Sequence, residues 1–337
     1  MYGPLRTIRR NLTRKVGEPL NILCSPTHER YESLLAKTGH NFYGYTAIKP
    51  GTNAAAEGMK PWNTEYAPLP PNYKLIGNKL PIDVDFDLVL SQNKFGQFHA
   101  LYPIAKQGQI PLVSLEHTLP VPFWPKRVLG ECLRMRGDID VFISKFSTSA
   151  WGMDGLVIEH GVNTDLFTSG DFQREPVCMS VVNDWINRDL FCNFSGWERV
   201  INGLRVKVFG STPGLSEPAK SIPHLIEEYQ KSLIFVNTST ISPIPTSLLE
   251  AMSCGCAVVS TATCMIPEVI TDGYNGYISN DESVLREKII YLLQNPEIAI
   301  QMGKNARKTI VEKYNLNKFV DSWNKVLYSA AELEIQC

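Results

Sequence analysis

What this chain lacks narrows its function before any motif is read. Its 337 residues hold no apolar run near the roughly 20 that cross a bilayer, and no signal peptide is expected ahead of the first strand. A cytoplasmic setting is expected. Lys and Arg total 33 against 34 Asp and Glu, a formal net charge of −1, so no global basic field argues for nucleic acid. The 8 cysteines are scattered, without the paired CxxC knuckles of a structural zinc site. Reduced, mostly buried thiols are expected instead. Glycine is missing where a dinucleotide fingerprint needs it: Leu20–Cys24 runs straight into Ser25-Pro26-Thr27-His28-Glu29-Arg30. What is present is an ordinary globular composition, 44% hydrophobic and 20% charged, long enough for two domains.

Apolar runs and helical periodicity alternate along the chain. Strands are predicted at Leu20–Cys24, Asn41–Tyr45, Phe86–Ser91, Ile110–His117, Asp140–Ser144 and from Leu156. A Pro-, Gly- and Asn-rich stretch, Ile48 to Lys79, reads as an insertion or acceptor-side loop. The polar residues 168–175 read as a linker, after which the alternation restarts at Val177–Val182, with a helix over Phe191–Asn202. Three amphipathic helices close the chain. The expected fold is α/β, with two Rossmann-like doubly wound domains facing a central cleft. Residues 1–170 form the first, 171–315 the second, and 316–337 a C-terminal helix. Ligands are expected at the C-terminal strand edges. Thr27, His28, Arg30, His117, His160 and Asn163 are candidates on that ground.

One stretch organises the second half: the strand Leu233–Val236, a turn through Ser242-Pro243-Ile244-Pro245, then Thr246 to Cys254, Gly255 and the strand Ala257–Val259. Residues before proline are pushed to extended backbone, so the helix cannot start before Pro245, which suits a first helical position. The N–H groups of Thr246 and Ser247 then have no intrahelical partner and face the positive end of the dipole, a ready anion site. Glu250 lies one turn on along the same face, where it meets a bound ligand or is merely solvated.

Two weaker signals accompany these. Arg6, Arg9, Arg10, Arg14 and Lys15 precede the first acid, Glu18. They suit a membrane-surface helix, a phosphate-binding arm or a solvated terminal helix. Asp83-Val84-Asp85 and Asp85-Phe86-Asp87 match a metal-binding Asp-x-Asp pattern, but they lie at the N-terminal end of a strand, away from the usual ligand edge. No metal is assigned.

The run Leu248 to Ser260, followed by Ile266-Pro267-Glu268-Val269-Ile270 and Asp272-Gly273-Tyr274-Asn275-Gly276, resembles the nucleotide-sugar half of family-four-type glycosyltransferases of the GT-B fold. His160-Gly161-Val162-Asn163-Thr164-Asp165-Leu166-Phe167 resembles the turn closing that family's first domain. The resemblance implies a metal-independent, retaining hexosyl- or pentosyltransferase that uses a nucleoside diphosphate sugar and no other cofactor. It implies a ribose contact for Glu250, diphosphate contacts around Pro245, Thr246 and Ser247, and a donor-sugar contact for His117. It also implies that the last helix crosses back onto the first domain. Where the family has a second glutamate this chain has Ser242. Where it has a basic pair, this chain has Asn183 and Arg188, with Gly210 on the neighbouring loop. The implied acceptor is a glycan or lipid-linked glycan, with contact to a membrane surface through the N-terminal basic residues. A general likeness to virus-encoded members adds a hydroxymethylated DNA base as an alternative acceptor, in a host cytoplasm. A nucleotide-sugar-binding protein without turnover is a further alternative.

Overall fold

The computed structural model describes residue 15, residues 17–46, 62–64, 66–94 and 97–332. Arg6, Arg9, Arg10 and Arg14 lie outside the described residues. The chain divides into two compact units: Met1–Gly161 with Asn317–Cys337, and Val162–Leu316.

The first unit is built on a seven-stranded sheet of order β3-β2-β1-β4-β5-β6-β7. Its strands are β1 (Asn21–Cys24), β2 (Asn41–Tyr45), β3 (Tyr73–Gly77), β4 (Leu88–Ser91), β5 (Leu112–Glu116), β6 (Ile139–Phe142) and β7 (Leu156–Val157). Every pairing is parallel. Central strands of a parallel sheet are buried on both faces, which is why Leu88–Ser91 and Leu112–Glu116 are buried throughout. Val89, Phe98, Leu101, Ala105 and Leu112 form the core beneath the helix Gln97–Gly108. Strand β3 corrects the reading of residues 48–79 as a loop. Tyr73 is buried while Lys74 and Leu75 are exposed, as on an edge strand whose covering ends after its first residue. The C-terminal helix Leu316–Ala331 brings Trp323 Nε1 to within 2.9 Å of the Tyr31 hydroxyl.

The second unit has a five-stranded parallel sheet of order β12-β11-β10-β8-β9. Its strands are β8 (Glu175–Val181), β9 (Val206–Phe209), β10 (Ser232–Asn237), β11 (Ala257–Ser260) and β12 (Tyr277–Ile278). Central β10 and β11 are buried at every position, with apolar clusters on both faces. The helix expected over Phe191–Asn202 is two helices, Asp189–Cys192 and Phe194–Ile201. They part at Asn193, whose φ of 50° is left-handed and whose side chain caps Gly196 N. Asparagine tolerates that conformation and supplies the cap, so the continuous periodicity was misleading.

Among the described residues no helix is long and apolar enough to cross a membrane. The Asp-x-Asp acids serve the first sheet: the Asp87 carboxylate accepts Asn21 N, and the Asp85 carbonyl accepts Asn21 Nδ2.

Candidate functional site

In the second unit the site is a turn between buried elements. The helix Thr246–Ser253 starts one residue later than proline preference suggests: Pro245 is its N-cap, in extended backbone, with no side-chain cap. Proline cannot cap through its side chain, so the first N–H groups stay open. Among the described residues, the backbone N–H groups of Thr246 and Ser247 have no hydrogen-bond partner. Ser247 Oγ donates to Val181 O at 3.1 Å and ties the helix start to the end of β8. Glu250 is buried and accepts from the Tyr229 hydroxyl at 3.3 Å, so it is not a solvated surface acid. Gly255, at φ 81°, ends the helix as its spacing predicts.

The loop after β8 carries the single basic residue expected there. Arg188 is exposed, and among the described residues its guanidinium makes no hydrogen bond or ion pair. The loop beneath it is anchored by buried Trp185, whose Nε1 donates to Cys192 O at 3.0 Å and whose N–H reaches Thr212 Oγ1 at 3.1 Å. Asn183 is exposed and accepts Ser211 N at 2.9 Å. Gly210 has φ 112°, and a Cβ there would lie 2.1 Å from Val182 O, so the loop after β9 passes β8 only as glycine. The short helix after Arg188 is fastened to the Ser242 turn. Phe191 O accepts Thr240 N and Ile241 N at 2.9 and 3.2 Å, and Leu190 O accepts Thr240 Oγ1 at 2.8 Å. Cation and open helix start therefore share one scaffold.

In the first unit three histidines gather around Tyr31. Its ring is 4.5 Å from that of His117 and 5.2 Å from that of His160, and His28 stacks on His117 at 6.1 Å. Burial, with the like charges of His28 and His160, holds His117 well below the usual imidazole range. Burial and His28 bring His160 down to about 3. Both rings are therefore neutral at pH 7, one nitrogen donating and the other accepting. His117 itself is partly exposed, yet both its ring nitrogens are shut from solvent and lack partners.

Sequence reading missed what holds this edge together. Buried Glu32 accepts Thr27 N and His28 N on one oxygen, at 2.8 and 2.9 Å. Its other oxygen accepts the Tyr73 hydroxyl and Gln92 Nε2, both at 2.7 Å. The loop after β1, which has no glycine cluster, is thus fixed by a carboxylate, and His28 caps the helix Glu29–Leu35 through Tyr31 N. Thr27 and Arg30 stand on this loop, both partly exposed. The signal in sequence was a Glu placed four residues after a helix-starting His, obvious only once Tyr73 and Gln92 are known to converge on it. Asn163, grouped with the first-unit candidates from sequence, lies in the second unit. Its Oδ1 accepts Leu166 N at 3.2 Å and closes a local turn.

Residues 219–309 match the family model described as glycosyl transferases group 1. An uncharacterized glycosyltransferase of Methanocaldococcus jannaschii is 32% identical over 109 residues, 29% of this chain and 28% of that protein. N-acetyl-alpha-D-glucosaminyl L-malate synthase of Bacillus anthracis is 35% identical over 83 residues, 24% of this chain and 22% of that protein. The matches thus span about a quarter of the length of these curated relatives. Among solved structures, Anabaena HepE in complex with UDP and glucose aligns with a TM-score of 0.72 at 13% identity, over 93% of this chain and 100% of that one. Sucrose-phosphate synthase of Thermosynechococcus elongatus aligns at 0.69 and 14%, over 93% and 99%. At these identities the structures establish the fold.

Proposed function

We propose that this chain, which has the GT-B fold and whose residues 219–309 match the model of group 1 glycosyl transferases, is a glycosyltransferase. The protein transfers a sugar from a nucleoside diphosphate sugar to a hydroxyl of a glycan or lipid-linked glycan, retaining anomeric configuration. The observation that carries this reading is the pair of unpartnered N–H groups at Thr246 and Ser247 with buried Glu250 one turn on. The open helix start takes the diphosphate, and Glu250, set by Tyr229, takes the ribose hydroxyls. Arg188 supplies the cation against leaving-group charge. Asn183, Gly210 and Ser242 line the donor turn, and His117 meets a sugar hydroxyl.

Retention then needs no protein nucleophile and no metal. The bond between anomeric carbon and diphosphate oxygen breaks while the acceptor oxygen forms its bond on the same face. The acceptor's proton passes to the departing diphosphate oxygen, so charge and atoms balance. HepE carries UDP and glucose in its structure, which supports UDP-glucose as the first donor to test. The test is mass spectrometry of UDP-glucose and other nucleotide sugars incubated with glycan and lipid-linked acceptors. Product from wild type, with little from Arg188→Ala, is expected. Nucleotide binding without product from any acceptor would favour a binding protein, and full activity in both Arg188→Ala and Glu250→Ala would overturn the assignment.

A further inference from the structure

The His117 ring has no hydrogen bond to orient it. Among the described residues neither of its nitrogens has a partner. The carbonyl or carboxylate that ordinarily fixes a working imidazole from its far nitrogen is therefore missing. What remains is packing. Among the described residues its closest ring contact is Tyr31, 4.5 Å away and at 86° to it, whereas His28 and His160 each stand 6.1 Å off. Edge-on contact at that distance is a preferred aromatic geometry and constrains the plane of a ring as well as its place.

Tyr31 is itself held on several sides. It is buried on the helix Glu29–Leu35, and its N–H donates to His28 Nδ1 at 3.3 Å. Its ring stands edge-on to those of His160 and Phe319 as well, at 5.2 Å from each. Its hydroxyl accepts Trp323 Nε1 at 2.9 Å. Phe319 and Trp323, both buried, lie one turn apart on one face of the helix Leu316–Ala331, in the same unit as Tyr31. Phe319 also packs against the residue after His160: a Cβ on Gly161 would come within 2.7 Å of the phenylalanine's Cβ and Cγ. Rings of the C-terminal helix thus close around Tyr31, and Tyr31 closes on His117.

We propose that Tyr31 is the positioning residue of His117 and that Trp323 holds Tyr31, so the C-terminal helix governs turnover through two rings. The proposal rests on the glycosyl-transfer reading, in which His117 serves the reaction, and adds what keeps that ring in line. A neutral imidazole offers a donor on one nitrogen and an acceptor on the other. Only a ring held still offers them at a fixed point, and a misplacement of about 1 Å costs on the order of 100-fold in rate.

The experiment joins NMR of the full chain, carrying isotope-labelled histidine, to steady-state kinetics. His117 is assigned by the signals lost in His117→Gln, and wild type should give it one sharp set. Tyr31→Leu removes the ring and should broaden or double that set. It should also lower kcat about ten-fold or more, with UDP affinity unchanged. Tyr31→Phe keeps the ring but loses the tether and should lower kcat about three-fold, the weight of one hydrogen bond. Trp323→Phe should do the same, and the double variant should be no worse than either single one. A merely structural role would lower the urea midpoint while leaving the His117 signals and kcat unchanged. That result in Tyr31→Leu would overturn the proposal, and additive losses in the double variant would overturn the part given to Trp323. If Tyr31→Leu fails to fold, the two phenylalanine variants carry the test, and unmoved His117 signals in both would overturn it. The signals are read without nucleotide or acceptor, so they stand apart from the transfer reading. Full activity in His117→Gln, beside a ring that depends on Tyr31, would overturn the role of His117 and the control of turnover, and would leave the positioning itself standing.

Discussion

The Tyr229 hydroxyl donates to Glu250 Oε2 at 3.3 Å. Tyr229 is fully buried on the helix Ile222–Lys231, and Glu250 is buried on the helix that starts at Thr246. The carboxylate proposed to meet a ribose is held from behind by a phenol, so its rotamer is set before any ligand arrives. Glu250→Ala should raise the dissociation constant for UDP about 10- to 100-fold, as expected for loss of charge-assisted bonds. Tyr229→Phe should raise it about 3- to 10-fold by freeing the carboxylate. Calorimetry on both single variants and the double variant checks this, and additive effects would show that the phenol does not act through Glu250.

Glu32 closes the first unit from within. Replacing it by Ala strands the N–H groups of Thr27 and His28, the Tyr73 hydroxyl and the Gln92 amide at once. The expected loss is about 3–5 kcal/mol. Tyr73→Phe removes one donor and should cost about 1–2 kcal/mol. Urea unfolding of the three proteins, followed by amide exchange in β1, measures both. A Glu32→Ala protein as stable as wild type would mean that the hub does not hold the edge.

These two contacts mark where sequence reading succeeds and where it stops. The turn at Pro243–Thr246 was legible because prolines, a broken apolar stripe and Gly255 each constrain local backbone on their own. The parallel strands were legible because burial on both faces makes short, wholly apolar runs such as Ala257–Val259. Strand β3 was not, because an edge strand with Lys74 and Leu75 both exposed shows no alternating apolar face, and its pairing depends on β2. Glu32 was not, because its partners Tyr73 and Gln92 lie 41 and 60 residues away in sequence. The lone position of Arg188 was visible in sequence. Its anchoring by Trp185 was not, since that needs Cys192 and Thr212 brought round by the fold.

Acid should weaken the first unit through His160. Its folded pKa, near 3, lies below the ordinary imidazole value of 6.5 because the ring is buried beside His28. Between those values the unfolded chain binds more protons, so the contribution is fully present above about 6.5 and is lost as pH falls toward 3. From pH 7 to pH 5 that is about 2 kcal/mol. Glu32 and Glu116, raised by burial, act in the opposite sense, their contribution being lost as pH rises above the ordinary carboxylate range. Comparing wild type with His160→Gln removes that background. The variant's urea midpoint should vary less between pH 7 and pH 5, and parallel curves for the two proteins would exclude His160 as the source.

Arg188 should affect turnover more than ground-state affinity. Its guanidinium has no partner among the described residues, so removing it leaves no orphaned carboxylate and should change stability by less than about 0.5 kcal/mol. In transfer, the diphosphate gains charge as the anomeric bond breaks, and a cation poised there stabilises that state over the ground state. Arg188→Ala should therefore lower kcat about 100-fold with a change in donor KM below about five-fold. Arg188→Lys keeps the charge but loses the planar fork and should recover part of the rate. Trp185→Phe removes the indole bond to Cys192 O that steadies the loop and should reduce kcat less than Arg188→Ala. Steady-state kinetics of the three variants with one donor measure this, and an Arg188→Ala enzyme altered only in KM would place the arginine in donor binding rather than leaving-group stabilisation.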